Sequence, residues 1–155
     1  LVRLDNSTEF FSYTKRINAP KNDFTKFREA CRQAIQEDLR KVKLEYFEKY
    51  SKKGQVKCQE TGCLSKYEEL NVDHRQPNTF SVIVDRFIEL NNIDIQRIEY
   101  IPVDGGPNEL ADEKLKEKFK HYHKDKANLR IVKKNLNLGR SFQARVKRQK
   151  KDLTI

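Results

Sequence analysis

The sequence predicts an α+β domain, and three observations point to it. Apolar residues recur every three or four positions in several long stretches. Short β-prone runs bounded by turn signals lie between them. The chain has 155 residues, the size of one domain. Only 36% of it is hydrophobic and 36% is charged, so a modest core under a highly charged surface is expected.

Residues 1–21 mix Phe10, Phe11, Tyr13 and Ile17 with polar residues and end near Pro20. They are expected to form an arm or the remnant of an upstream module, with the domain proper at 22–155. Asn22 or Asp23 can cap a helix by accepting a bond from a free backbone N–H. Phe24, Phe27, Cys31, Ala34, Ile35, Leu39, Val42, Tyr46 and Tyr50 follow at helical spacing. The expectation is one amphipathic helix over 22–52, about 40 Å long at 1.5 Å per residue. Gly54 ends it.

Val56-Lys57-Cys58 reads as a short strand and Thr61-Gly62 as a turn. Tyr67 to Val72 reads as a second extended piece delivering Asp73 and His74 at its end. A hairpin carrying the histidine at its tip is therefore expected. After Pro77, Asn78 or Thr79 can cap a helix bearing Phe80, Ile83, Val84 and Phe87, which Asn91-Asn92 ends. Ile93 to Val103 has extended character, and Asp104-Gly105-Gly106-Pro107 is a loop. Another helix is expected from about 108 to 126, with Leu110, Leu115, Phe119 and Tyr122 on one side. These two helices read as an insertion, 78–126, between the halves 56–77 and 127–151. Ala127 to Val132 has strand character, and the chain is expected to turn helical from about Lys133. Leu136, Phe142 and Val146 supply the buried side of that last helix.

Lys and Arg number 33 against 23 Asp and Glu, a surplus of +10. That balance favours a polyanionic partner, first of all nucleic acid, over ordinary solubility charge. Arg75 beside His74, and Arg145, Lys147 and Arg148 in the basic stretch 140–152, are the candidate phosphate contacts. No apolar run approaches the roughly 20 residues of a membrane span, and no secretory signal is present. Three cysteines, an odd number, suggest reduced thiols and an intracellular setting. Cys58 and Cys63 have a zinc-like spacing, but a structural zinc takes four ligands and no second pair follows. Zinc is not expected, and the cysteines read as small core residues. With no methionine and Leu1 first, a larger multidomain parent is expected; a homodimer is the other possibility.

Val72-Asp73-His74-Arg75-Gln76-Pro77 and the later Asn128 to Ser141 hold a histidine, a carboxylate and several carboxamides. That set suits hydrolysis of a phosphodiester with a hard divalent metal. A neutral histidine, with an ordinary pKa of about 6.5, can take a proton from water. Strand neighbours point to opposite faces, so Asp73 can bind metal while His74 faces the water. Asn137 can add an uncharged oxygen ligand, as Mg²⁺ accepts. Asn128 can orient the imidazole. His121 and His123 can act on substrate or metal, or serve as surface and packing residues.

The pattern Val72-Asp73-His74-x-x-Pro77, then Asn128 and Asn137 nine residues later, resembles the HNH endonucleases. Asn137-x-Gly139-Arg140-Ser141 is similar to the HNH nuclease domain of the large RNA-guided CRISPR effector. Cys58-x-x-Thr61-Gly62 leading into Val72-Asp73-His74 is similar to phage and bacterial HNH proteins. The resemblance implies a ββα-metal core with a long N-terminal helix and a helical insertion. It implies His74 as general base, one Mg²⁺ or Mn²⁺ on Asp73 and Asn137, Asn128 orienting His74, and Arg140 near the scissile phosphate. The products implied are 5′-phosphate and 3′-hydroxyl ends. The last motif position is Asn rather than His, paired CxxC knuckles are absent, and Asn135 rivals Asn137. The alternatives are a nucleic-acid-binding module on an HNH scaffold that no longer cuts, and a domain whose basic face binds an acidic protein.

Overall fold

A computed structural model describes residues 21–135. The expected N-terminal arm and the basic tail lie outside the described residues, apart from Lys21. The described residues form a mixed α and β domain with helices and small antiparallel strand pairs.

The first helix, α1, runs Asp23–Ala34, and the Asn22 side chain caps it by accepting from Thr25 N at 2.7 Å. The single helix expected over 22–52 is divided. Ile35 leaves helical geometry at φ −97° and ψ 0°, and α2 runs Gln36–Tyr50. The reason is visible in what each half covers. Phe27, Ala30, Cys31 and Ile35 belong to one core, whereas Val42, Tyr46 and Phe47 pack on another. Helical spacing continues through the bend, so the periodicity alone does not reveal it.

Strand β1, Val56–Lys57, pairs with β2, Leu64–Ser65, around a turn in which Gly62 has φ +72°. This pairing corrects the expected hairpin. A short 3₁₀ turn, Tyr67–Glu69, leads into β3, Leu70–His74, and β3 pairs with β6, Leu129–Lys133. The ladder runs antiparallel from Leu70 opposite Lys133 to His74 opposite Leu129. His74 thus ends a strand of a two-stranded ladder rather than capping a local hairpin. Its partner lies more than fifty residues away, and local pattern does not specify so distant a pairing.

Helix α3 runs Phe80–Asn91, capped by Thr79, and ends where Asn92 adopts the left-handed conformation at φ 48°. β4, Tyr100–Ile101, pairs with β5, Glu109–Leu110, and α4 runs Glu113–Lys126. That last helix starts later than about 108. Glu109 and Leu110 are drawn into strand pairing, and the Asp112 carboxylate caps Lys114 N and Leu115 N.

The region read as an insertion carries most of the main core. Ile83, Phe87 and Phe119 are fully buried with Phe27 and Ile35 of α1, and the Phe87 and Phe119 rings meet edge to face at 5.1 Å. A smaller cluster joins Val56, Leu70 and Ile131 to α2. The end of β3 lies against the main core, because His74 approaches Phe80 with ring centroids 5.5 Å apart. Among the described residues no helix is long and apolar enough to cross a membrane.

Candidate functional site

The β3–β6 ladder brings together two stretches that the sequence keeps far apart. Asp73 stands opposite Arg130 and His74 opposite Leu129. One residue further, Arg75 N donates to the Asn128 backbone carbonyl at 2.8 Å. Valine and isoleucine hold this register: Val72 faces Ile131, and both belong to the smaller core.

Strand alternation sends Asp73 and His74 to opposite faces. Asp73 is 8% exposed, and its Oδ2 accepts from Arg130 Nε at 2.9 Å. Arg130 also reaches Glu60, with its Nη2 3.4 Å from Oε2. The hairpin loop after β1 is docked by Gln59, which bonds the Ile131 backbone through N–H and side chain. A charged cluster of Glu60, Asp73 and Arg130 therefore lies on one face of the ladder.

His74 occupies the other face and is 8% exposed. Its Nε2 lies 2.7 Å from Nε2 of His123 on α4. His123 is itself 3% exposed and sits one turn after Phe119. Burial pushes the His74 imidazole down to about 3, helped by His123 and Arg32. Burial also pushes His123 down to about 4; Asp38 opposes the shift and Arg32 adds to it. Both rings are therefore neutral at pH 7. A hydrogen bond between two neutral imidazoles needs one nitrogen with a proton and one without.

Two residues that sequence reasoning undervalued belong here. His123 was readable as a packing residue because it follows Phe119 by four positions, on the buried side of α4; that it meets His74 was not readable. His121, two positions away, is exposed. Arg32 of α1 is also exposed, and its guanidinium stacks over the Phe80 ring at 4.1 Å. No carboxylate pairs with Arg32 among the described residues, and its charge reaches both imidazoles.

The remaining candidates fall as follows. Arg75 and Asn128 are exposed. Asn128 contributes its backbone to Arg75, and the described hydrogen bond to the His74 ring comes from His123. Among the described residues no bond from the Asn128 carboxamide to the imidazole is present, and the His123 ring of α4 takes the contact at Nε2 of His74. Asn135 is exposed, and the chain turns helical at Lys134 and Asn135. Asn137, Arg140, Arg145, Lys147 and Arg148 lie outside the described residues. Cys31 and Cys58 are buried and Cys63 is exposed, all as free thiols.

Hard divalent cations take carboxylate and carboxamide oxygens and keep several waters. At the ladder the described residues supply two carboxylates of that kind, Asp73 and Glu60, both engaged by Arg130. No group of three or more His, Cys, Asp or Glu that could hold a metal occurs among the described residues. Comparison with protein-family models, with curated proteins and with solved structures finds no match.

Proposed function

We propose that this domain is an endonuclease of the HNH type that hydrolyses DNA phosphodiester bonds with one Mg²⁺ or Mn²⁺. One observation carries the reading. The Val72-Asp73-His74 strand and the strand after Asn128 pair in register, so the two motif halves meet at one place. The chain turns helical at Lys134 and Asn135 directly after β6, which suits the helix that a ββα-metal core would need there.

In this mechanism His74 accepts the proton of the attacking water. It is neutral near pH 7, with a lone pair free for the proton, and the burial that depresses its pKa to about 3 also makes it a weaker base than an ordinary histidine. Asp73 and Asn137 are the proposed metal ligands, with Asn135 as the rival to Asn137. A bound divalent ion supplies charge neutralisation at the phosphate and at the leaving oxygen. Arg130 holds the Asp73 carboxylate from the side through Nε. Arg75, Arg140 and the basic tail contact phosphates, and the products carry 5′-phosphate and 3′-hydroxyl ends.

The test is plasmid nicking with Mg²⁺ or Mn²⁺, with and without EDTA. Nicking should appear with metal, vanish with EDTA, and vanish in His74→Ala while DNA binding stays within about twofold. Full nicking by His74→Ala would exclude the mechanism.

A second reading is a nucleic-acid-binding module that does not cut. It is favoured by the burial of His74 against His123 and by the ion pair between Asp73 and Arg130. It predicts salt-sensitive DNA binding with no metal-dependent nicking.

A further inference from the structure

We propose that Arg32 of α1 is a substrate-binding residue: its guanidinium holds a backbone phosphate of DNA beside His74. The inference rests on the nuclease function proposed above, and it adds to that site a residue from outside both motif halves.

Position is the first argument. The Arg32 guanidinium lies over the Phe80 ring, 4.1 Å from its centroid. The same ring lies 5.5 Å from the His74 ring, centroid to centroid. Phe80 is 4% exposed, so it is a fixed platform shared by the cation and the imidazole. The Arg32 charge is felt at both His74 and His123. The cation therefore stands on the His74 side of the ladder, while Asp73, Glu60 and Arg130 form their charged cluster on the other.

Charge balance is the second. One helical turn earlier, Arg28 approaches Asp85 at 3.8 Å and lies over the Phe24 ring. Arg32 has no ion pair or hydrogen bond of that kind among the described residues. Asp38, in the first turn of α2, reaches His123 but forms no ion pair with Arg32 among the described residues. Partial burial and the Arg28 charge both work against the Arg32 cation. An anion seated there offsets both. Stacking engages the face of a guanidinium and leaves N–H donors along its edge. That planar fork matches two non-bridging oxygens of a phosphate. A carboxylate has similar geometry, but the surplus of +10 and the neighbouring motif histidine favour the nucleic-acid backbone.

The experiment titrates the full chain, without divalent metal, with a short DNA duplex. It reads affinity at several salt concentrations and the Arg32 Nε–H signal in ¹H–¹⁵N spectra. Arg32→Gln should weaken binding roughly tenfold and flatten the slope of log Kd against log salt by about one phosphate contact. Arg32→Lys should recover only part of the affinity, because a point charge does not replace the fork. Arg97→Gln removes an exposed arginine already paired with Asp94 and should leave affinity within about twofold. In nicking assays with Mg²⁺ or Mn²⁺, Arg32→Gln should raise KM about tenfold with kcat nearly unchanged, the mark of lost binding. Unchanged affinity and salt slope in Arg32→Gln overturn the proposal, as does an equal loss in Arg97→Gln. Should Arg32→Gln fail to fold, a wild-type Arg32 signal that does not shift with duplex overturns it. So does a signal that shifts with polyglutamate but not with duplex. If wild-type protein nicks nothing with either ion, nuclease function fails, and the metal-free titration still decides whether Arg32 holds a phosphate.

Discussion

Two buried imidazoles in contact make His74 and His123 sensitive to acid. Both titrate below the ordinary histidine value, at about 3 and about 4, with burial as the largest cause. The unfolded chain, with histidines near 6.5, therefore binds more protons than the folded one between those values. Their contribution to stability is complete above about pH 6.5 and is lost as pH falls toward 4 and 3. The loss should be on the order of 1 kcal/mol per pH unit for each ring in that window. Urea unfolding from pH 7 to pH 5, in buffer without divalent metal, should show it, and His123→Phe should show a shallower fall. A flat profile for the wild type would mean that the rings are more exposed than the structure has them. Asp73 shows a different logic at the same scale. Its carboxylate is held by Arg130, itself shared with Glu60, so a cation arriving there joins an existing charge network.

The β3–β6 ladder is the element on which the site depends. Ile131, 2% exposed and opposite Val72, ties it to α2. Ile131→Ala should cost about 2–5 kcal/mol, read as a lower urea midpoint, and should lower nicking only as far as the folded fraction falls. Loss of nicking in a variant still fully folded would show that the ladder does more than position. Much of the element set was legible in the sequence. Thr79 and Asn92 bound α3 as their capping chemistry suggests, and Gly105 turns the loop at 104–107 with φ +68°. Three features were not legible, each for a physical reason. The bend at Ile35 answers to two cores that only the folded chain possesses. Tyr100–Ile101 and Glu109–Leu110 pair over two residues each, too short for alternation to register. The partner of β3 was misassigned because a neighbouring strand satisfies local pattern as well as a distant one.

At the scale of the molecule, the segment between the motif halves is no appendage. Its helices α3 and α4 build the main core with α1, and α4 carries His123 to His74. The sequence marked Asp73, His74 and Asn128 as candidates because their residue types suit phosphodiester chemistry. It could not mark Arg32 or the partner of His74, because α1 and α4 converge on β3 only through tertiary packing. Arg32, stacked on Phe80 near both histidines, extends the positive surface of a chain whose formal charge is +10.

The most direct measurement is anomalous diffraction from crystals grown with Mn²⁺. The expected result is a single strong peak within about 2.5 Å of an Asp73 carboxylate oxygen, completed by a carboxamide and waters. Data in which Asp73 stays paired with Arg130 at saturating Mn²⁺, with no peak on the ladder, would contradict a metal-dependent nuclease built on this site.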